Sequence, residues 1–108
     1  PVKIINLRNN YLGMVKQWQD MQYDGRYSEC HYAASLPDFV KLAEAYGHVG
    51  MEVKTQADLE PAMKEAFALK DKLVFMDIHI DPDEHVYPMM VAPNGAMKDM
   101  LLSKTERS

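Results

Sequence analysis

The chain has 108 residues, of which 47% are hydrophobic, and this length and composition are typical of one globular domain or part of one. Its formal net charge of −4 and its pI near 5.5 offer no basic field, and the lysines and arginines are scattered, so we predict binding to neither nucleic acid nor an anionic membrane surface. No apolar run approaches ~18 residues, no signal peptide is recognisable, and the single cysteine, Cys30, cannot form an internal disulfide, so a cytoplasmic protein is expected.

The first predicted elements are a strand and a helix separated by a short polar turn. Val2 to Leu7 is an apolar strand, and Asn9 and Asn10 follow it directly. The helix after Gly13 carries its apolar residues on one face, namely Met14, Val15, Trp18 and Met21. By its amphipathic pattern alone, this face is a core face, and Trp18 and Met14 are ordinary core residues.

A second helix is predicted after an irregular stretch. Ser35 is the expected N-cap, with Pro37 in the first turn and Asp38 near the positive end. The apolar face of this helix is expected to comprise Phe39, Val40, Leu42, Ala43 and Tyr46. Gly47 is expected to end the helix.

The second half of the chain continues the alternation of strands and helices. Val49 to Val53 is a short strand, and a helix begins at Thr55 or Asp58, with Pro61 expected to loosen its first turn or delay its start. Leu73 to Ile80 is the most apolar strand, and its unbroken run predicts cover on both faces. This alternation predicts an α/β fold of three layers, with about three mostly parallel strands flanked by helices.

The periodic pattern is lost near the C-terminus. From Asp81 onward, prolines, a glycine and methionines replace it. We therefore divide the chain into residues 1–85, which carry the α/β pattern, and an irregular tail over residues 86–108 with one short helix near Met97 to Leu102.

The polar turn after the first strand has two interpretations. Asn9 and Asn10 at the end of a strand favour an ordinary turn when only their spacing is considered. An amide oxygen followed by a helix N-terminus also suits a metal-bound diphosphate, because the helix end offers partial positive charge and free N–H groups.

Three segments together resemble one enzyme family, the catalytic large subunits of acetohydroxyacid synthase, also called acetolactate synthase, in their bacterial form. They are LRNNYLGMVKQWQDMQYDGRYS, SLPDFVKLAEAYGHVG and EHVYPMMVAPNGAMKDMLLSKTERS. An Asn-Asn pair that closes a strand is common to many thiamine diphosphate enzymes, whereas Gly13-Met14-Val15-Lys16-Gln17-Trp18-Gln19 is much more particular to this family. The resemblance covers the whole chain and implies a partial thiamine diphosphate-binding fold, with residues 1–85 as the C-terminal half of that domain.

The resemblance also implies roles for individual residues. The side-chain oxygen of Asn10 and the backbone carbonyl of Leu12 would bind Mg²⁺, which prefers six oxygens. Gly13, Met14 and Val15 would lie near thiamine diphosphate, and Trp18 would line the pocket for the second ketoacid. The family's acidic metal ligand is expected ~25–30 residues before the Asn pair. Only nine residues precede Asn10, so we expect a piece of a larger enzyme.

The reaction that the resemblance implies joins two 2-ketoacids. Two pyruvates would give 2-acetolactate, or pyruvate and 2-ketobutyrate would give 2-aceto-2-hydroxybutyrate, with loss of CO₂, for branched-chain amino-acid biosynthesis. The family's catalytic glutamate and its FAD would lie on domains outside this chain, which we expect to be inactive alone. The parent would be a homo-oligomer with a regulatory small subunit.

Two alternatives stay open. Another thiamine diphosphate-dependent 2-ketoacid decarboxylase or oxidase would share the Asn-Asn turn, although Trp18 argues against it, and a non-catalytic interaction module would need no site. Other polar groups predict less: Cys30-His31 and Asp81 to His85 lack the spacing of zinc or calcium sites, so we interpret both as solvated loops. His79 is expected to hydrogen-bond locally.

Overall fold

The computed structural model of the chain describes residues 1–91 and 95–104. The elements in chain order are β1 (Lys3–Arg8), α1 (Gly13–Gln22), a 3₁₀ turn (Ala33–Ser35), α2 (Phe39–Ala45), β2 (Val49–Val53), α3 (Gln56–Ala68), β3 (Val74–His79), β4 (Met89–Met90), a second 3₁₀ turn (Met97–Asp99) and β5 (Met100–Leu101). They form two compact units. We call Pro1–Asn10 with Tyr32–Asp81 the sheet unit, and Tyr11–His31 with the described residues from Pro82 onward the helix–tail unit.

The sheet unit is a parallel sheet with strand order β1-β3-β2. β1 pairs with β3 from Lys3↔Val74 to Arg8↔His79, and β2 pairs with β3 from Val49↔Val74 to Val53↔Ile78. The predicted set of three parallel strands is confirmed. β3 is the central strand, which explains its unbroken apolar run, because a central strand in a parallel sheet is covered on both faces.

Helices cover both faces of this sheet. On one face Val53, Val74 and Met76 pack with Ala66 of α3 in a buried core. The register places Phe75 on the opposite face, where it stacks on Phe39 of α2 with ring centroids 5.3 Å apart. The sheet unit is therefore the expected three-layer α/β arrangement.

The start of α2 differs from the prediction. Asp38, and not Ser35, is the N-cap, and its carboxylate accepts a hydrogen bond from the backbone N–H of Lys41 at 3.1 Å. Ser35 instead ends the preceding 3₁₀ turn. Pro37 lies before the cap because the residue preceding a proline disfavours the helical region. Gly47 ends the helix as expected, at φ +76°.

The apolar face of α2 is also less buried than its pattern predicts. Ala43 is its only buried residue, whereas Leu42 and Tyr46 are exposed. Their spacing reports an amphipathic helix, but the sheet beneath α2 is narrow and covers only part of that face.

The helix α3 begins at the first of the two predicted positions. Thr55 is the N-cap residue, and its hydroxyl donates to the Asp58 carboxylate at 2.6 Å. Pro61 lies inside the helix without delaying its start. Of the two effects expected of Pro61, the delayed start is therefore wrong, and the loosened first turn stays a prediction.

The helix–tail unit consists of α1, the segment that leads from it to His31, and the C-terminal tail. β4 and β5 pair antiparallel through Met89↔Leu101 and Met90↔Met100. The short helix predicted near Met97 to Leu102 is only the 3₁₀ turn Met97–Asp99, and β5 follows it directly. The boundary predicted after residue 85 stays a prediction. Within the part of the chain that the structure describes, no helix is long and apolar enough to cross a membrane.

Candidate functional site

A charged cluster joins the carboxyl ends of the three parallel strands. The Arg8 guanidinium, at the end of β1, contacts Asp77 of β3 through Nε at 2.9 Å and Glu52 of β2 through Nη2 at 3.1 Å. Nη2 also lies against Nε2 of His79, and this nitrogen contacts the Glu52 carboxylate at 2.8 Å. His79 was predicted to hydrogen-bond to neighbouring groups, and it does. The hydrogen bond from Lys54, followed by the contact with His79, holds the pKa of Glu52 below its ordinary value.

The Asn9-Asn10 turn follows Arg8 immediately. Asn10 has φ +64°, a left-handed conformation that asparagine tolerates better than most residues. Its carbonyl accepts a hydrogen bond from the Tyr32 backbone N–H at 3.2 Å. Asn6, Asn9 and Asn10 are among the residues that line a groove of about 200 Å³ in the sheet unit. The groove therefore presents three amide side chains beside the carboxyl end of β1, the edge of a parallel sheet at which ligands bind.

Leu12 forms the start of α1 in the helix–tail unit. Its backbone N–H donates to the Cys30 carbonyl at 2.9 Å, and its carbonyl accepts from the Lys16 N–H at 2.9 Å. As the N-cap residue, Leu12 provides no side-chain hydrogen bond, and the first turn contains no acidic residue. Neither the N-cap side chain nor the first turn of this ten-residue helix thus supplies an anionic or accepting group to its positive end.

In this chain, α1 buries part of its polar face and exposes part of its apolar face, which is the reverse of an ordinary amphipathic helix. Lys16 and Gln17 are its buried residues, whereas Met14 and Val15 are exposed by 52% and 44%. Together with Trp18, which is partly buried, they line an open apolar groove of about 460 Å³. Within this chain, Met14 and Val15 are therefore not covered as the residues of a core face would be.

The buried ammonium of Lys16 organises the polar side of α1. Its Nζ lies 3.0 Å from the Asp20 carboxylate and 2.6 Å from that of Asp83. It also lies over the rings of Tyr11 and Tyr27, at 5.4 and 5.0 Å from their centroids. Burial alone would lower the pKa of Lys16, but the hydrogen bonds to Asp83 and Asp20 outweigh that cost and raise it above its ordinary value.

The two carboxyl groups respond in the expected sense. Burial would raise the pKa of Asp20, but hydrogen bonds from the Tyr27 hydroxyl at 2.5 Å and from Lys16 lower it below the ordinary value. The hydrogen bond from Lys16 likewise lowers the pKa of Asp83. Both groups are therefore carboxylates at neutral pH, and the ammonium compensates them from within the protein.

Gln17 connects α1 to the tail through two hydrogen bonds. Its side chain is completely buried, its Nε2 donates to the Val86 carbonyl at 2.8 Å, and its Oε1 accepts from the Val86 N–H at 3.1 Å. The side-chain amide thus pairs with both backbone polar groups of one tail residue, Val86, as a neighbouring strand would. This contact, like the clusters around Arg8 and Lys16, was not identified from the sequence, because its partners lie more than 60 residues apart.

The segments interpreted as solvated loops are only partly so. Asp83 is 57% exposed, but the His85 ring is largely buried and contacts Asp20 at 3.2 Å. Cys30 is fully buried, and its thiol donates to the Gln19 side chain at 2.9 Å. The carboxylates in both the Asp83–His85 region and the Arg8 cluster are already paired with an internal cation, Lys16 or Arg8. This pairing favours a structural role over metal binding at either cluster.

The residues predicted for the cofactor and substrate site are distributed over both units. Asn10 ends the first segment of the sheet unit, and Leu12, Gly13, Met14, Val15 and Trp18 belong to the helix–tail unit. The connection between Asn10 and Leu12 is a single residue, Tyr11. The roles predicted for these residues stay predictions.

Comparison with known proteins shows the family to which this chain belongs. Residues 1–78 match the family described as thiamine pyrophosphate enzyme, C-terminal TPP binding domain. The chain is 58% identical over 106 residues to the acetolactate synthase large subunit of Haemophilus influenzae. The aligned region covers 98% of this chain and 18% of that protein. It is 54% identical over 110 residues to the acetolactate synthase isozyme 3 large subunit of Escherichia coli K12, covering 100% of this chain and 19% of that protein.

A more distant relative matches a shorter part. The acetolactate synthase large subunit IlvB1 of Mycobacterium tuberculosis is 41% identical over 95 residues, which covers 85% of this chain and 15% of that protein. The chain thus spans less than a fifth of the length of the Haemophilus influenzae relative. Activities that belong to a whole large subunit therefore involve residues beyond the 108 described by this sequence.

Proposed function

Because the chain belongs to the thiamine pyrophosphate enzymes, with their C-terminal cofactor-binding domain over residues 1–78, we propose that it is part of an acetolactate synthase large subunit. The observation that carries this proposal is the 58% and 54% identity, over nearly the whole chain, to proteins of that name. The reaction is the condensation of two pyruvates to 2-acetolactate and CO₂, or of pyruvate with 2-ketobutyrate to 2-aceto-2-hydroxybutyrate and CO₂. This chemistry serves branched-chain amino-acid biosynthesis.

The start of α1 is the proposed diphosphate end of the cofactor site. Its first turn is uncapped and lacks an acidic side chain, so its N–H groups and positive end fit an anion. Gly13 has no Cβ, which permits a ligand to approach its backbone closely, and Met14 and Val15 follow it in the helix. Thiamine diphosphate, when bound there, supplies the electron sink for decarboxylation of a 2-ketoacid.

Asn10 and Leu12 are the proposed metal ligands of this chain. An amide oxygen and a backbone carbonyl are neutral oxygen ligands, which Mg²⁺ accepts beside the oxygens of a diphosphate. The left-handed backbone of Asn10, at φ +64°, is compatible with this role, because asparagine adopts this conformation at turns. The Leu12 carbonyl accepts one hydrogen bond from Lys16, and a carbonyl oxygen has a second lone pair for a metal ion.

Trp18 is the proposed wall of the second-substrate pocket. It lines the exposed apolar groove with Met14 and Val15, and an apolar wall of this kind favours an ethyl over a methyl substituent. One methylene in a fitted pocket is worth about 1–3 kcal/mol, which is sufficient to set a preference between 2-ketobutyrate and pyruvate. No residue of this chain is assigned the proton-transfer step, which we place on another domain.

The remaining features of the enzyme are proposed on the family resemblance. They are FAD in a domain outside this chain, a homo-oligomer, a regulatory small subunit and a cytoplasmic location. The name of the Escherichia coli relative, a large subunit, supports a partner of smaller size.

The test uses the full-length large subunit that contains these residues. We expect it to form 2-acetolactate from pyruvate only with both Mg²⁺ and thiamine diphosphate. Asn10→Gly removes the amide but keeps a residue that adopts positive φ, so it is expected to raise the apparent Kd for Mg²⁺ by at least about tenfold. Asn9→Ala is the matched control and is expected to change it less than about threefold.

Each outcome of this test has a definite consequence. Acetaldehyde as the main product of the wild-type enzyme would assign the chain to another thiamine diphosphate decarboxylase. No turnover of any 2-ketoacid by an enzyme that retains its cofactors would favour the non-catalytic alternative. If Asn9→Ala weakens Mg²⁺ binding and Asn10→Gly does not, the metal ligand is Asn9 and the assignment of Asn10 is wrong.

A further inference from the structure

We propose that Gln17 is a positioning residue for Trp18 and that the tail segment from Asp83 to Val86 acts through it to set substrate preference. This inference rests on the proposed role of the apolar groove. Gln17 and Trp18 are neighbours in α1, but they point to different sides of the helix, since consecutive residues are about 100° apart around a helix axis. Gln17 points into the helix–tail unit, and Trp18 lines the groove.

The hydrogen bonds of Gln17 fix the orientation of α1 about its own axis. The side-chain amide donates to the Val86 carbonyl at 2.8 Å and accepts from its N–H at 3.1 Å. Two hydrogen bonds to the N–H and the carbonyl of one residue fix both the position and the plane of the amide, whereas a single bond would allow rotation about it. A buried apolar side chain of equal size would fill the same space, but it would not fix the orientation of α1 about its axis.

Neighbouring contacts act on the same side of the helix. The ammonium of Lys16 bonds to Asp83 at 2.6 Å, and the Asp20 carboxylate contacts His85 at 3.2 Å. Lys16, Gln17 and Asp20 lie within one turn of α1, and each contacts a residue between positions 83 and 86. Rotation of α1 about its axis would break all of these contacts together.

A rotation of α1 would move its apolar face by the same angle. At a side-chain distance of ~5 Å from the helix axis, a rotation of ~10° moves an atom by about 1 Å, since the displacement is the radius times the angle in radians. A displacement of about 1 Å is comparable to the difference in length that one methylene makes. The tail contacts are therefore able to set the depth of the wall that Trp18 forms.

The variants separate the effect of the hydrogen bonds to Val86 from the effect of filling the buried space at position 17. Gln17→Met has nearly the same length and shape but loses both hydrogen bonds to Val86. Gln17→Glu keeps an acceptor for the Val86 N–H and loses the donor. Val86→Pro removes the N–H from the other side, and Gln22→Met is the control at an exposed position of the same helix.

The first readout is the product ratio of the full-length enzyme when 2-ketobutyrate and pyruvate compete. We expect Gln17→Met to lower the preference for 2-ketobutyrate by about three- to tenfold, a part of the roughly 10–200-fold that one methylene is worth in a fitted pocket. Val86→Pro is expected to lower it in the same direction, Gln17→Glu to lower it less, and Gln22→Met to leave it unchanged. An unchanged ratio in Gln17→Met and Val86→Pro, with lower thermal stability, would show a merely structural role and overturn the proposal.

The second readout does not require the proposed reaction. Trp18 is the only tryptophan of this 108-residue chain, so its fluorescence in the chain reports its surroundings directly. We expect Gln17→Met and Gln17→Glu to change the rate of acrylamide quenching of Trp18 by about twofold, since a partly buried indole changes its exposure when the helix rotates. Quenching identical to that of the wild-type chain would overturn the positioning role, even if the proposed reaction itself proved wrong.

Discussion

Replacement of Lys16 by methionine tests the buried ion pairs of the helix–tail unit. Lys16 is 3% exposed, and its ammonium lies 3.0 Å from Asp20 and 2.6 Å from Asp83. Methionine fills most of the volume but leaves the largely buried Asp20 carboxylate without its cation. Breaking a buried pair by removal of one partner costs about 3–5 kcal/mol. Because Asp83 is largely hydrated, we expect the lower end, about 3 kcal/mol.

The assay is urea denaturation of the 108-residue chain, followed by circular dichroism. The matched control is Lys64→Met, because Lys64 pairs with Glu60 at 2.6 Å, but the Lys64 side chain is 76% exposed. An exposed pair of this kind is worth about 0.2–1 kcal/mol. Equal losses of stability in the two variants would refute the account of a buried, compensated ammonium. The double variant Lys16→Met with Asp20→Asn is expected to regain part of the loss, since it removes the buried charge that Lys16 neutralises in the wild type.

The pH dependence of the difference between wild type and Lys16→Met follows from the pKa directions. The pKa of Asp20 is lower in the folded state, so its contribution is fully present above the ordinary value of 3.8 and is lost as the pH falls through the folded value. The pKa of Lys16 is higher in the folded state, so its contribution is present below 10.5 and is lost as the pH rises through the folded value. The difference is therefore expected to be constant between these limits and to shrink outside them.

Three further predictions concern the isolated chain and its sheet. Gly50→Ala is expected to cost about 1–3 kcal/mol by urea denaturation, because its Cβ would lie 2.7 Å from the backbone of Val40; a neutral result would contradict the close packing of α2 on β2. Calorimetry is expected to detect no binding of Mg²⁺-thiamine diphosphate by the 108-residue chain at micromolar concentrations, because Asn10 and Leu12 are only two of about six ligands; a micromolar Kd would refute an incomplete site. Light scattering is expected to show self-association of the isolated chain, either through the apolar edge strand β1 or through the methionine-rich tail. Leu7→Lys is expected to reduce self-association through β1. A stable monomer at about 100 μM would count against both surfaces.

The sheet was predictable because its signals are local. Each strand has a short apolar run, and the run at β3 distinguishes the central strand from the strands on either side. The cap of α2 was less predictable, since Ser35 and Asp38 both favour a helix start and only the position of Pro37 separates them. A cap is decided by which residue leaves the helical region, and two candidates three residues apart differ little in propensity.

The amphipathic pattern of α1 alone favours a core face, whereas the family resemblance places its apolar residues at a site. Periodicity reveals that a helix has an apolar and a polar face, but not which of them contacts the rest of the protein. Lys16 and Gln17 are buried because their partners, Asp83 and Val86, come from a tail that has no periodic pattern. The string Gly13 to Gln19 was singled out only through the resemblance, since its pattern alone is that of an ordinary amphipathic helix.

The charged cluster at the sheet edge was within reach of the sequence in principle. Arg8, Glu52 and His79 each lie at or near the carboxyl end of a predicted strand, and parallel strands bring those ends together. The strand order was needed to place Arg8 beside Asp77, and the order is not encoded locally. The ligand roles of Asn10 and Leu12 remain predictions for a different reason, since most of their expected partners lie outside these 108 residues.

The competition of 2-ketobutyrate and pyruvate in Trp18→Leu tests the central claim most directly. If the apolar face of α1 is the wall of the second-substrate pocket, the full-length enzyme with this substitution is expected to lose preference for 2-ketobutyrate by about tenfold or more, while its affinity for Mg²⁺ and thiamine diphosphate changes little. An unchanged product ratio together with a large loss of stability would contradict the account and assign Trp18 to packing alone.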